Sequence, residues 1–189
     1  MKELTIDIET TGITADNYQT TAIGYKFNST RFPTVMFAYK PSDEKKMLYE
    51  FSKVLDEVKT LITWKGKGFD VPFLKTRGVL LSVDLSRLSN IPLIDLQLIV
   101  EKEFMLSQTR LKDVTALFDI KRTDTLDGSQ IARLYNEYAR TSPPDKKIAK
   151  IIITHCREDV MVISQLYELL KKYIRDYNTP QPSRQRKRG

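Results

Sequence analysis

Cysteine and histidine are almost missing from this chain: Cys156 and His155 are the single residue of each type among 189. One cysteine excludes a disulfide framework and a cysteine-cluster zinc site, and it fits a reducing compartment. One histidine excludes a histidine-rich zinc site. Long apolar runs are also absent. None approaches the roughly 20 residues that cross a bilayer, so no membrane partner is expected. The opening Met1-Lys2-Glu3-Leu4 lacks a basic region followed by an apolar stretch, so the expectation is a cytoplasmic chain without a signal peptide. Acids are missing from residues 179–189, where Arg184, Arg186, Lys187 and Arg188 give +4 and nothing after the second proline is apolar.

What is present is a globular composition, 41% hydrophobic and 10% aromatic, at a length suited to one domain. The net charge of +7 is mostly an appended feature. Taking the four terminal cations from the 31 Lys and Arg leaves 27 against 24 acids over residues 1–178. The expected organisation is therefore a folded domain over 1–178 and a disordered basic tail over 179–189.

Residues 3–8 alternate apolar and polar as a strand does. Residues 19–27 and 34–39 are rich in Thr, Ile, Tyr, Phe and Val and flank the turn Asn28-Ser29-Thr30-Arg31, which predicts a three-strand antiparallel meander. Ser42 reads as the cap of a helix reaching Val58, with a glutamate close behind it and Met47, Leu48, Phe51, Val54, Leu55 and Val58 on one face. Leu61–Trp64 predicts a short strand, and Pro72 the start of a helix ending near Thr76. Further helices are expected over 94–105, 111–118 and 128–139, and a long one from Asp145 to Tyr173. Strands first, then alternation, then helices, imply an α/β fold with helices packed on a mixed sheet.

Three groups of residues stand out against that frame. Asp7 and Glu9 lie two apart on the first strand, so both carboxylates point to one face, where they repel unless a cation lies between them. Strands also disfavour acids. Asp70 stands where the Lys65-Gly66-Lys67-Gly68 loop meets the helix marked by Pro72. His155 and Asp159, at i and i+4, share one face of the long helix among apolar neighbours. Each group alone also reads as ordinary structure: a hydrated strand end, a helix cap, a surface pair. Taken jointly, four carboxylates form an all-oxygen donor set suited to Mg²⁺ or Mn²⁺. Two such ions about 4 Å apart can hold both the attacking and the leaving oxygen of a phosphodiester displacement. Without metal, mutual repulsion should raise some of the carboxyl pKa values.

In order, these motifs resemble those of the DEDD (DnaQ-like) 3′–5′ exonucleases of the RNase H-like fold. Asp7-Ile8-Glu9-Thr10-Thr11-Gly12 is similar to the first motif, Phe69-Asp70-Val71-Pro72-Phe73-Leu74 to the second, and His155 through Asp159 to the third. The last spacing, H-x3-D, places a histidine in the register that the tyrosine-type members use. That is nearest to a branch of RNase H-like nucleases whose third motif reads H-N-x-x-D-V or Y-N-x-x-D-V. Lys65-Gly66 stands where that branch usually carries Asn-Gly.

The resemblance implies a catalytic set of His155, Asp7, Glu9, Asp70 and Asp159, in which the four acids hold two divalent cations, Mg²⁺ or Mn²⁺. Asp7 is implied to bridge both ions. Glu9 and Asp159 complete the site of the metal holding the attacking water, Asp70 supports the second, and His155 is the general base. Expected nucleic-acid contacts are Thr10, Gly12, Trp64, Lys65, Lys67 and Phe69, with Lys75, Arg77, Arg110, Lys112, Lys146, Lys147 and Arg157 as further candidate phosphate contacts. The implied partner is nucleic acid, DNA ahead of RNA, cut from the 3′ end to nucleoside 5′-monophosphates. An exoribonuclease, a structure-specific endonuclease with the same metals and a non-catalytic binding module remain open as alternatives at this level.

Overall fold

A computed structural model describes residues 2–174; the basic stretch at 179–189 lies outside the described residues. Five strands form one mixed sheet: β1 (Glu3–Thr10), β2 (Thr20–Phe27), β3 (Thr34–Phe37), β4 (Thr60–Thr63) and β5 (Leu93–Asp95). Their order is β3-β2-β1-β4-β5, with the meander antiparallel and β1, β4 and β5 mutually parallel. Six helices surround it: α1 (Glu44–Leu55), α2 (Asp70–Leu81), α3 (Leu96–Glu103), α4 (Leu111–Leu117), α5 (Gly128–Arg140) and α6 (Lys146–Leu170).

β1 is central, and both of its faces are covered, so its apolar–polar alternation in sequence is not matched by an alternation of burial. Leu4, Ile6 and Ile8 join Phe51, Leu55, Phe73 and Leu74 in the main core. The opposite face carries Thr5, Asp7 and Glu9 and meets α6. One glycine sets how closely α6 approaches. Gly24 sits opposite Asp7 in the β1–β2 ladder, and a Cβ there would lie 2.7 Å from both Cys156 Sγ and Val160 Cγ2. Beyond it, the register slips between Glu9 and Thr10: Glu9 pairs with Ala22 and Thr10 with Thr20, so the extra residue, Thr21, lies on β2 next to the acids. The C-terminal half of α6 builds a second cluster, in which Ile163, Leu166 and Leu170 meet Ile62, Leu96, Val100 and Val114.

The structure departs from expectation in three places. Ser42 is exposed within a 3₁₀ turn (Pro41–Asp43), where Asp43 accepts a hydrogen bond from Lys40 N at 3.0 Å. Glu44, the supposed partner of a cap, is instead turned inward. Both its oxygens bind Arg77 (Nε 2.9 Å, Nη2 2.7 Å), and Oε1 accepts from Thr20 N at 2.7 Å. Helix α2 starts at Asp70, before Pro72, and runs past Thr76 to Leu81, stopping at Ser82 in a left-handed conformation (φ 54°). Finally, the segment expected to be helical from residue 94 opens as β5. Leu93-Ile94-Asp95 pairs with β4, and Asp95 then caps α3 through Gln97 N at 3.2 Å.

Candidate active site

β1 brings Asp7 and Glu9 to its α6-facing side. One oxygen from each, together with Cys156 Sγ, lies within 4.8 Å of the others. Asp70 reaches the same strand from the first turn of α2, where its Oδ1 accepts from Ile8 N at 3.2 Å. From α6, His155 Nε2 lies 3.5 Å from Glu9 Oε1 and 3.6 Å from Asp159 Oδ2. The three sequence-distant groups therefore meet at one place, between the end of β1 and the middle of α6. His155 is buried there, not displayed on the surface.

Three further residues belong to this cluster and carried no signal in the sequence. His155 Nδ1 is hydrogen-bonded to Asp124, which stands in the segment between α4 and α5. Arg122, from the same segment, places Nη2 2.6 Å from Asp159 Oδ1 and donates from Nε to Asp124 O at 3.1 Å. Glu158 ties the segment to α6 by accepting from Thr123 N, Thr123 Oγ1 and Asp124 N, each at 2.7 Å. Its carboxyl stays below the usual range. Burial pushes it up, but these three donors together with Arg122 outweigh burial. A lone Glu next to Asp159 in sequence reads as surface charge; the contact spans some 35 residues and depends on the tertiary fold.

The electrostatics are those of an overcharged pocket. Burial, then Asp159 and Asp70, drive the Asp7 and Glu9 carboxyls well above the ordinary carboxylate range. Burial lifts Asp70 to about 7 against its bonds from the Asp70 and Ile8 N–H groups, and Asp159 is raised by burial as well. Asp124 moves the other way. Its own burial raises it, but Leu126 N–H, His155 and Arg122 more than offset that and hold it low. Cys156 is a buried thiol whose pKa burial, Glu9 and Asp7 push up, so it remains a small neutral packing residue.

This donor set fits hard divalent cations. It offers several converging carboxylates whose deprotonated forms are costly together, including a buried Asp159 Oδ1 that makes no hydrogen bond despite its charge contact with Arg122. The neutral thiol adds nothing to such a site. Asp7, Glu9, Asp70 and Asp159 are the carboxylates that could hold such cations.

The residues expected to contact nucleic acid are found in varied states. Thr10 is nearly buried and donates from Oγ1 to Gly12 O at 2.7 Å, while Gly12 lies under the Tyr18 ring, where a Cβ would be only 2.5 Å from its atoms. Lys65 and Lys67 project into solvent, but their N–H groups both bind Asp95, each at 2.9 Å. Lys65 adopts φ 63°, a left-handed conformation in which Asn is several-fold favoured over other non-glycine residues. Trp64 is partly buried against the second core cluster, and Phe69 packs on Phe73 with ring centres 5.5 Å apart. Two of the candidate phosphate contacts are committed elsewhere: Arg77 to Glu44, and Arg110 to Asp113 at 2.6 Å.

Comparison with known proteins places this arrangement. Residues 4–171 match the RNase_H superfamily. Over 78 residues, 41% of this chain, the sequence is 35% identical to DNA polymerase 120R of Invertebrate iridescent virus 3, of which the match covers 7%. The fold is similar to that of the family B DNA polymerase from the hyperthermophilic archaeon Pyrobaculum calidifontis, with a TM-score of 0.77 at 17% identity. That likeness covers 92% of this chain and 25% of the polymerase. The chain thus spans a small part of each of these two proteins. Among the described residues, no helix is long and apolar enough to cross a membrane.

Proposed function

The chain belongs to the RNase_H superfamily, and on that premise we propose that it is a metal-dependent 3′–5′ exonuclease acting on single-stranded or frayed DNA. The observation that carries the reading is the convergence of Asp7, Glu9, Asp70 and Asp159 with a histidine whose Nε2 faces two of them. Such a crowd of buried acid is unfavourable for the fold alone. It becomes favourable when dications neutralise it.

In this reading Asp7, Glu9, Asp70 and Asp159 hold two Mg²⁺ or Mn²⁺ ions, which supply charge neutralisation for the phosphodiester and activate water at neutral pH. His155 takes the proton of the attacking water at Nε2. Asp124 makes that possible by accepting from Nδ1–H, which fixes the ring and leaves the Nε2 lone pair toward the reacting centre. The P–O3′ bond to the penultimate nucleotide breaks, and a nucleoside 5′-monophosphate leaves. Cys156 and the neighbouring apolar side chains keep bulk water from the inner side of the acids.

Incubating 5′-labelled DNA and RNA oligonucleotides with Mg²⁺ or Mn²⁺ tests the proposal. A ladder of shortening labelled products, stopped by EDTA, is expected, with DNA degraded faster. Cleavage of a closed circular single strand would replace the exonuclease by an endonuclease, and absence of any cleavage with either metal would overturn the reading.

A further inference from the structure

Next to the acid cluster lies a groove that the proposed chemistry does not use. Lys146, Lys150, Thr154 and Arg157 follow one another on α6 at steps of four, four and three residues, so they form a stripe on one helix face. At about 100° per residue, His155 stands about a quarter-turn beyond Thr154, the nearest member of the stripe, and Asp159 lies farther round still. The stripe borders a cavity of about 690 Å³ whose other wall brings Tyr39 and Lys40, just after β3, and Tyr138 from α5. A second cavity of about 430 Å³ shares Lys150 and Thr154 with the first and reaches His155 and Asp124. The two thus meet along Lys150 and Thr154, and the second spans from that ridge to His155, with about 13 Å of helix between Lys146 and His155 at 1.5 Å per residue.

Its chemistry is of one kind. No lining residue of the larger cavity is acidic, and Lys40, Lys146, Lys150 and Arg157 make no ion pair with any described residue. Tyr39 is 57% exposed over an otherwise apolar floor and is braced edge-on by Phe37 at 5.1 Å. Unpaired cations along a groove with a presented aromatic ring suit a flexible polyanion whose subunits carry flat faces, namely single-stranded nucleic acid. A protein partner of acidic character would use the cations but leave the ring idle.

We infer that this groove holds the single-stranded run of nucleic acid leading to the bond at His155, with phosphates on Lys146, Lys150 and Arg157 and a base on Tyr39. The inference rests on the nuclease reading for its direction, yet it can be tested apart from it. Binding of labelled 12-nucleotide single strands, one deoxyribo and one ribo, is measured by anisotropy in EDTA over a series of salt concentrations. In the variant Lys146→Gln/Lys150→Gln/Arg157→Gln, affinity is expected to fall at least about tenfold, and the slope of log affinity against log salt to shrink by about 2, near 0.7 for each lost phosphate contact. A matched variant, Lys26→Gln/Lys45→Gln/Lys59→Gln, removes equal charge elsewhere and should keep the slope. Tyr39→Ala should weaken binding about tenfold without changing the slope, and Tyr39→Phe should restore it. All these side chains except the partly exposed Lys26 are exposed, so the fold is retained. Loss of slope with either sugar supports the groove, and comparing the two strands says which sugar it prefers. Equal slopes in both triple variants overturn it, even if wild-type protein cleaves DNA. Competition by polyglutamate as effective as by the oligonucleotide, with Tyr39→Ala silent, would make the groove a protein-docking face and equally overturn it. If the groove variant loses binding while wild-type protein cleaves nothing, the groove stands and the nuclease reading falls.

Discussion

Glu44 and Glu9 are buried to nearly the same degree, 3% and 4% exposed, yet their surroundings are opposite. Glu44 is fully answered. Arg77 grips both oxygens, Thr20 N–H adds a third bond, and Arg77 spends Nη1 on Ala15 O at 3.0 Å. Glu9 faces a histidine at 3.5 Å and lies in the field of Asp159, Asp70 and Asp124. The first site is an ion pair assembled for the fold, pinning α1 and α2 to the loop before β2. The second stores like charge that the fold does not neutralise, which the guanidinium of Arg122 opposes only in part. Burial alone therefore says little about the role of an acid; what answers its charge says much more.

This contrast can be broken by experiment. The largest effect is expected from Asp7→Ala or Asp159→Ala. Mg²⁺- or Mn²⁺-dependent nucleotide release should drop about a thousandfold or more, since each 1.4 kcal/mol of lost stabilisation is tenfold in rate, while circular dichroism remains that of folded protein. Retention of near-normal release by either variant would sink the site assignment. Next is Glu44→Ala, which strands Arg77. It should cost about 3–5 kcal/mol in urea unfolding and leave the turnover of the folded fraction as it was. Asp124→Asn is intermediate. As a positioning residue it should lower kcat by roughly tenfold to a hundredfold with KM little changed, and adding His155→Gln should cost less than the sum of the two single losses. Additive losses would mean that the two side chains act separately.

The smallest effect is a pH dependence of stability measured in EDTA. The folded state holds the Asp70 proton to about 7, whereas an ordinary aspartate releases it near 3.8. Across that window the unfolded chain binds fewer protons, so stability is greatest below it and declines as pH rises through it. The thermal midpoint should therefore climb as pH is lowered from about 7.5 to about 5.5, by about 3 °C for each kcal/mol of the cost of a buried charge relieved. Saturating Mg²⁺ or Mn²⁺, or Asp70→Asn, should flatten the trend. A midpoint that falls on acidification in EDTA would contradict a buried Asp70 that holds its proton.

Much of this was legible in the residues because it is local. Period two on β1 and an i, i+4 pair on α6 fix which side chains share a face without any knowledge of the rest. The antiparallel three-strand meander follows from turn residues and alternation. What escaped was non-local or competed with a stronger local pattern. Arg122 and Asp124 sit in a segment with no periodicity, and only tertiary contacts, with Glu158, His155 and Asp159, carry them to the site. Glu44 follows a plausible cap residue, so its inward turn toward Arg77 was hidden by an ordinary helix-start pattern. β5 is three residues long and runs directly into α3, so its apolar pair was absorbed into the helix.

The placement of the acids on β1 has one more consequence, in time. β1 is paired with β2 from Leu4 to Thr10 and with β4 over residues 3–5, Ile8 N–H is bound by Asp70, and the strand is packed on both faces, so its amides should exchange with solvent only when most of the molecule opens. The segment carrying Arg122 and Asp124 lies between helices and is tied down by Glu158, an attachment of three bonds at the surface of α6. Hydrogen exchange should accordingly divide the cluster into a slow half on β1 and a fast half around residues 121–126. The charged half of the site then endures as long as the fold does, while the part that aims the histidine can let go and re-form many times within that lifetime.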